Sequence, residues 1–205
     1  VEASPLRALT AQSYVAPGKR GLKRGLSDRE RTVVLFTDET IVTETPPLHA
    51  CWSPVGEQAD VPITGNRSKR VVYGTISVGQ GSVCLDSGER WNQDGFQDHL
   101  RHLRSIWRGW NIVLFLDRGS PHRAHRTRSL ARHLGIEFRY LPTACPELNP
   151  VEGLWRYAKA RLLANRTTTD IEESVARVCD ELEDMSGPQR LRTAGILSQN
   201  FWLAT

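Results

Sequence analysis

LPTACPELNPVEGLWRYAK, residues 141 to 159, is the stretch from which the rest of the chain is read. Pro142, Pro146 and Pro150 interrupt any regular element, and Asn149 followed by Pro150 marks a helix start. An Asn side chain can cap the free N–H groups of a first turn, and Pro suits the first helical position. At about 100° per residue, Val151, Leu154, Trp155, Ala158 and Leu162 share one arc, and Glu152, Arg156, Lys159 and Leu163 share the next. Glu152 therefore sits in the first turn beside a buried stripe, with two cations on its own face. Taken alone, such a residue complements the positive end of the helix dipole and pairs with Arg156. A chemical role requires partners elsewhere in the chain.

Two such partners end apolar runs. TVVLFTDE, residues 32 to 39, places four apolar residues shortly before Asp38, and NIVLFLD, residues 111 to 117, places five before Asp117. Uninterrupted apolar runs of this length are strands buried on both faces. Ligands of open α/β sheets gather at the carboxyl ends of such strands. Further strands are expected at His49–Pro54, Arg70–Val78, Ser82–Leu85 and in IEFRYL, residues 136 to 141. Helices are expected from Asn92 to Gly109, with Phe96, Leu100, Leu103 and Trp107 on one face, and from Pro121 to His133. Two more follow the anchor helix: TTTDIEESVARVCDELEDM with Ile171, Val175, Val178, Leu182 and Met185 as its stripe, then Gln189 to about Phe201. Strands alternating with helices predict an α/β fold, antiparallel early and parallel in the middle. Trp52 and Trp155 are expected in the core.

Composition narrows the class. The chain has 205 residues, 24% of them charged, a net charge of +4 and no apolar run long enough to span a membrane. Cys51, Cys84, Cys145 and Cys179 form no CxxC pair, which suits reduced thiols. His99/His102 and His122/His125 have the spacing of helix neighbours. The sequence beside them completes no ligand set, so they are read as solvated or structural. Nine arginines stand against two acids between residues 101 and 140, whereas residues 170 to 185 hold seven acids against Arg177. Such separation fits one face for a polyanion and another that avoids it, although arginines also solvate helix surfaces. Residues 1–31, including PGKRGLKRG, are read as a basic linker or arm, and 32–205 as the domain proper.

Clustered carboxylates repel one another unless a cation holds them. All-oxygen ligands suit Mg²⁺ or Mn²⁺, and two such ions about 4 Å apart can activate an attacking oxygen and stabilise a leaving one in phosphoryl transfer. FTDET, FLDRGSPHRAH and LPTACPELNPVEGLWRYAK, with 34 residues between Asp117 and Glu152, together resemble the DDE transposases of the mariner superfamily, in the bacterial 630-type insertion-sequence branch. The resemblance runs from Val33 to Leu162. It implies a ribonuclease H-like (retroviral integrase-like) mixed sheet of about five strands flanked by helices. Asp38 would lie on the first strand, Asp117 on the fourth and Glu152 on the following helix, jointly binding two Mg²⁺, with Mn²⁺ as substitute. The implied activity is cleavage of double-stranded DNA at transposon ends and transfer of the freed 3′ hydroxyl into target DNA. A homodimer on DNA, in the bacterial cytoplasm at the nucleoid, is expected with it.

The sequence departs from the family pattern in two ways. Arg118 stands where family members often carry Asn, so it either contacts the scissile phosphate or pairs with a carboxylate. The family's helix-turn-helix DNA-reading domains are expected upstream of these residues. Arg118, His122, Arg123, Arg156 and Lys159 are the candidate nucleic-acid contacts. Glu39 should point away from Asp38 on a strand and is left out of the site. Two alternatives follow from the same features: a domesticated or inactive transposase domain that only binds DNA or a protein partner, and a ribonuclease H-like nuclease acting on RNA–DNA hybrids.

Overall fold

A computed structural model describes residues 31–203. β1 (Thr32–Thr43) is the middle strand of a five-stranded sheet ordered β3-β2-β1-β4-β5. β2 (Lys69–Ser77) and β3 (Val83–Gly88) continue antiparallel on one side, and β4 (Asn111–Leu116) and β5 (Ile136–Tyr140) lie parallel on the other. The predicted mixed sheet is therefore present. β1 does not end at Asp38. It pairs with β4 only from Thr32 to Phe36 but with β2 from Leu35 to Thr43, so Asp38 lies just beyond the point where its parallel neighbour gives out.

Strand alternation divides the core. Phe36, Val113 and Phe115 face α4 (Val151–Tyr157), α5 (Ile171–Asp184) and the C-terminal residues, whereas Leu35, Ile112, Leu114 and Leu116 face α1 (Gln93–Ile106) and α3 (His125–His133). The expected second helix is split: α2 (Ser120–Arg123) stops at Ala124, whose ψ of 138° breaks the turn. The last helix is shorter than expected. α6 (Gly187–Thr193) is followed by turns through Gly195 at a φ of +75°, a region that favours glycine.

Two sequence expectations fail in the segment between β1 and β2. His49–Pro54 forms no strand; Pro46 and Pro47 before it and Pro54 at its end bracket it with residues that have no N–H for a ladder. Trp52 is fully exposed, not core. Asn165, in the left-handed region that Asn tolerates, ties this segment down by pairing with the backbone of His49 at 2.9 and 2.8 Å. All four cysteines are free thiols. No helix among the described residues is long and apolar enough to cross a membrane.

Candidate active site

Asp38 and Glu152 are positioned by one packing event. Asp38 pairs across the ladder with Gly74 of β2. A Cβ on Gly74 would lie 2.5 Å from the Trp155 ring, so only glycine lets the indole lie on β2 there. Trp155 is buried three residues after Glu152, and its docking sets the height of Glu152 above β1. Asn149 adds a second tie. Its Nδ2 donates to the Thr37 carbonyl at 3.0 Å, next to Asp38, while its Oδ1 accepts from Val151 N at 3.3 Å. The expected Asn cap is thus also the bolt between the α4 start and β1. The predicted stripe Val151, Leu154, Trp155, Ala158 and Leu162 is buried. After Tyr157 the helix widens into a π-helical stretch, Ala158–Leu163, which rotates Leu163 into the core and off the Glu152 face where the sequence had placed it.

Asp117 follows the last residue of β4. Its Oδ1 accepts from Gly119 N at 2.8 Å and from His122 Nδ1 at 2.6 Å, leaving Oδ2 outside both contacts. The other His122 nitrogen, Nε2, lies 2.8 Å from Glu39 Oε1. The His122 side chain is 1% exposed and its ring packs at a tilt against Phe96, with ring centres 4.3 Å apart. His122 is therefore removed from the candidate DNA contacts: it is a buried bridge between two carboxylates. Glu39, left out on strand alternation, does point away from Asp38, but the opposite face is where His122 lies. The sequence holds no local sign of that contact, since 83 residues separate the pair.

The electrostatics follow from these placements. Burial raises Asp38 to about 8, reinforced by the nearby charges of Glu152, Glu39 and Asp117. Asp117 is lowered, first by the His122 hydrogen bond and then by the Gly119 N–H, against its partial burial. For His122, burial opposes the charged form, but hydrogen bonds and charges from Asp117 and Glu39 outweigh it and raise it to about 9. At neutral pH His122 is an imidazolium donating from both nitrogens.

Asp38, Asp117 and Glu152 line one cleft of about 370 Å³, with Arg118, Asn149 and the 141–146 connection forming its other walls. A larger hollow of about 490 Å³ between α3 and β5 is lined by His125, Arg128, Arg132 and Glu137. It lacks the carboxylate cluster, so size does not identify the chemistry here. Arg118 makes no ion pair with a carboxylate among the described residues. Its guanidinium lies 6.0 Å from the centre of the Tyr140 ring and shares a small basic pocket with Arg123 and Arg128. Arg123, Arg156 and Lys159 are exposed. Arg104, by contrast, turns inward to the carbonyls of Trp110 and Leu134 and is structural.

The architecture defines the class first. The fold is similar to the crystal structure of the catalytic domain of Mos1 mariner transposase, with a TM-score of 0.60 at 13% identity, covering 98% of this chain and 89% of that one. It is also similar to the chain of a pre-cleavage Mos1 transpososome, with a TM-score of 0.68 at 16% identity, covering 100% and 64%. The fold is thus the ribonuclease H-like one expected. The family follows from the sequence. Residues 33–174 match the model of the DDE superfamily endonucleases, and the chain belongs to that family. It is 34% identical over 107 residues to the uncharacterized protein y4pE/y4sA of Sinorhizobium fredii, covering 48% of this chain and 77% of that protein. It is 26% identical over 156 residues to the insertion element IS630 uncharacterized 39 kDa protein of Shigella sonnei, covering 75% and 45%. The chain spans less than half the length of the Shigella protein and about two thirds of the transpososome chain.

Proposed function

We propose that residues 32–205 are the catalytic domain of an insertion-sequence transposase, cutting DNA at transposon ends and joining the 3′ hydroxyl to target DNA. The observation that carries this reading is the convergence of Asp38, Asp117 and Glu152 in one cleft, with Asp38 pushed up to about 8 by burial and by its acidic neighbours. Such a cluster stores repulsion that a divalent cation relieves, and its donors are all carboxylate oxygens, which fit Mg²⁺ or Mn²⁺. Mos1 paired-end complexes have been described with Mg and with Mn, which supports the same ions here. Two bound ions would supply activation of the attacking oxygen and stabilisation of the leaving one.

The protein groups perform the rest. Gly74 against Trp155, together with Asn149, holds Asp38 and Glu152 at fixed separation. His122 and Gly119 hold Asp117 through Oδ1, which leaves Oδ2 outside both contacts and available to an ion. Arg118 and Arg123, beside the cleft mouth, receive backbone phosphates, with Arg156 and Lys159 extending the basic path. Because Arg118 turns to Tyr140, it leaves the carboxylates free, which disfavours the inactive, binding-only alternative. A homodimer on paired DNA ends, acting at the nucleoid in the bacterial cytoplasm, completes the proposal. In a supercoiled-plasmid nicking assay with Mg²⁺ or Mn²⁺, Asp117→Asn and Glu152→Gln should each lower the rate by about a thousandfold, corresponding to about 4 kcal/mol of lost transition-state stabilisation. Cleavage that survives both substitutions would overturn the assignment.

A further inference from the structure

On the far side of the sheet, β3 and α1 bring together four side chains whose spacing in the sequence gives no motif. Cys84 and Asp86 are two apart on β3, and His99 and His102 three apart on α1, so each pair shares a face. Cys84 Sγ lies 3.4 Å from His102 Nδ1 and 3.8 Å from Asp86 Oδ2. Asp86 Oδ2 lies 2.5 Å from His99 Nδ1, and Oδ1 lies 2.9 Å from His102 Nδ1. Ligand atoms of Cys84, Asp86 and His99 all fall within 4.8 Å of one another. We propose that these four residues form a structural zinc site, separate from the carboxylate cleft.

A chain of hydroxyls fixes the tautomer of His99. Thr37 Oγ1 donates to the Gly74 carbonyl at 3.1 Å, so it accepts from Thr75 Oγ1 at 2.9 Å. The Thr75 hydroxyl proton is thereby used, and Thr75 Oγ1 must accept from His99 Nε2 at 2.7 Å. With a proton on Nε2, His99 turns its Nδ1 to the Asp86 carboxylate. The same carboxylate and a sulfur face Nδ1 of His102. A positive charge between His99 Nδ1 and the carboxylate can be a proton or a metal ion, and a second ring nitrogen held by a fixed acceptor is the usual support of a metal-bound histidine. Tetrahedral zinc, with bonds of about 2.0 to 2.3 Å, has ligand–ligand edges of about 3.3 to 3.8 Å. The two sulfur contacts already have that length, the nitrogen–oxygen contacts need open by less than about 1 Å, and His102, which lies outside the close group of Cys84, Asp86 and His99, must close towards His99.

The donor set also selects the ion. One thiolate, two imidazoles and one carboxylate suit Zn²⁺, whereas the all-carboxylate cleft suits Mg²⁺. Cys84 and His99 are buried, but the side chains of His102 and Asp86 are 45% and 32% exposed, which gives an entry path. Binding releases the Cys84 thiol proton to solvent. The ion would pin the edge strand β3 to α1 and, through Thr75 and Thr37, brace the backbone next to Asp38.

The test uses the 205-residue chain titrated with Co²⁺ as a spectroscopic stand-in, in excess Mg²⁺, with bound zinc counted by elemental analysis. One equivalent should bind, with a thiolate-to-cobalt charge-transfer band and the intense visible bands of tetrahedral cobalt. Cys84→Ser should lose the charge-transfer band. His102→Ala, at a half-exposed position that leaves the fold intact by circular dichroism, should weaken Co²⁺ at least about tenfold. Asp117→Asn and Glu152→Gln should leave the spectrum unchanged. A wild-type chain without the charge-transfer band would show a hydrogen-bonded cluster only and overturn the proposal, as would binding that Glu152→Gln abolishes and His102→Ala spares.

Discussion

Replacing Asp38 with Asn should make the ion-free protein more stable while removing its response to Mg²⁺. Burial, then Glu152, Glu39 and Asp117, hold the Asp38 carboxyl at about 8, against 3.8 for an unperturbed Asp. Between those values the folded chain binds a proton that the unfolded chain has lost, so stability falls as pH rises from about 4 to about 8, and the penalty is complete above that. Each pH unit in this window costs about 1.4 kcal/mol, which puts a ceiling of about 4 kcal/mol on the penalty at pH 7. The cleft is open to water, and screening reduces this to about 2 kcal/mol. Asn has the same shape and no charge, so Asp38→Asn should raise the melting temperature by about 4 to 8 °C in chelator at pH 7. Thermal unfolding followed by circular dichroism, with chelator and with millimolar Mg²⁺, gives the comparison. Mg²⁺ should stabilise the wild-type chain and leave the variant unchanged, and the variant's stability should be flatter from acid to neutral pH. A variant that melts lower than wild type in chelator, or that gains as much from Mg²⁺, would refute the picture of a strained carboxylate cluster relieved by an ion.

Two further outcomes follow from the same geometry. His122→Ala leaves Glu39, 9% exposed, without its counter-charge and should cost about 3 to 5 kcal/mol in denaturant midpoint, with part recovered in the Glu39→Gln double variant. Because His122 is raised from 6.5 to about 9, its contribution is complete below 6.5 and lost as pH rises through 9; the alkaline fall in wild-type stability should be smaller in His122→Ala, and equal falls would refute the bridge. Gly153→Ala places a Cβ 2.6 Å from the Thr193 carbonyl and 2.9 Å from Ala194 Cα, where backbone must move. It should cost about 1 to 3 kcal/mol and lower the nicking rate by shifting Glu152, and a neutral result in both assays would show that α4 and α6 are not rigidly docked.

The placement of Arg118 bears on how the site tolerates a cation beside Asp117. A guanidinium next to a metal-binding carboxylate would compete with the ion if it turned inward. Arg118 instead lies 6.0 Å from the centre of the Tyr140 ring, and the Tyr140 hydroxyl donates to the His122 carbonyl at 3.0 Å. The same histidine thus holds Asp117 through its ring and the Tyr140 hydroxyl through its backbone.

Local pattern was enough for the five strands of the sheet and for most of the helices that cover them, but not for the break at Ala124 or the early end of α6. Apolar runs ending at Asp38 and Asp117 and the capped start before Glu152 are properties of a few adjacent residues, and hydrophobic burial enforces them wherever they occur. His49–Pro54, bracketed by Pro46, Pro47 and Pro54, reads locally as a strand and forms none. Contacts between distant residues were decided by the tertiary structure alone: Gly74 under Trp155, Asn149 on Thr37, His122 between Asp117 and Glu39, and Cys84 and Asp86 beside His99 and His102. Each depends on sheet register or on how a helix docks across a strand, and a shift of one residue in β1 would send Glu39 to the other face. Sequence therefore determined where the acidic groups stand along the strands and helices, and packing determined which of them meet.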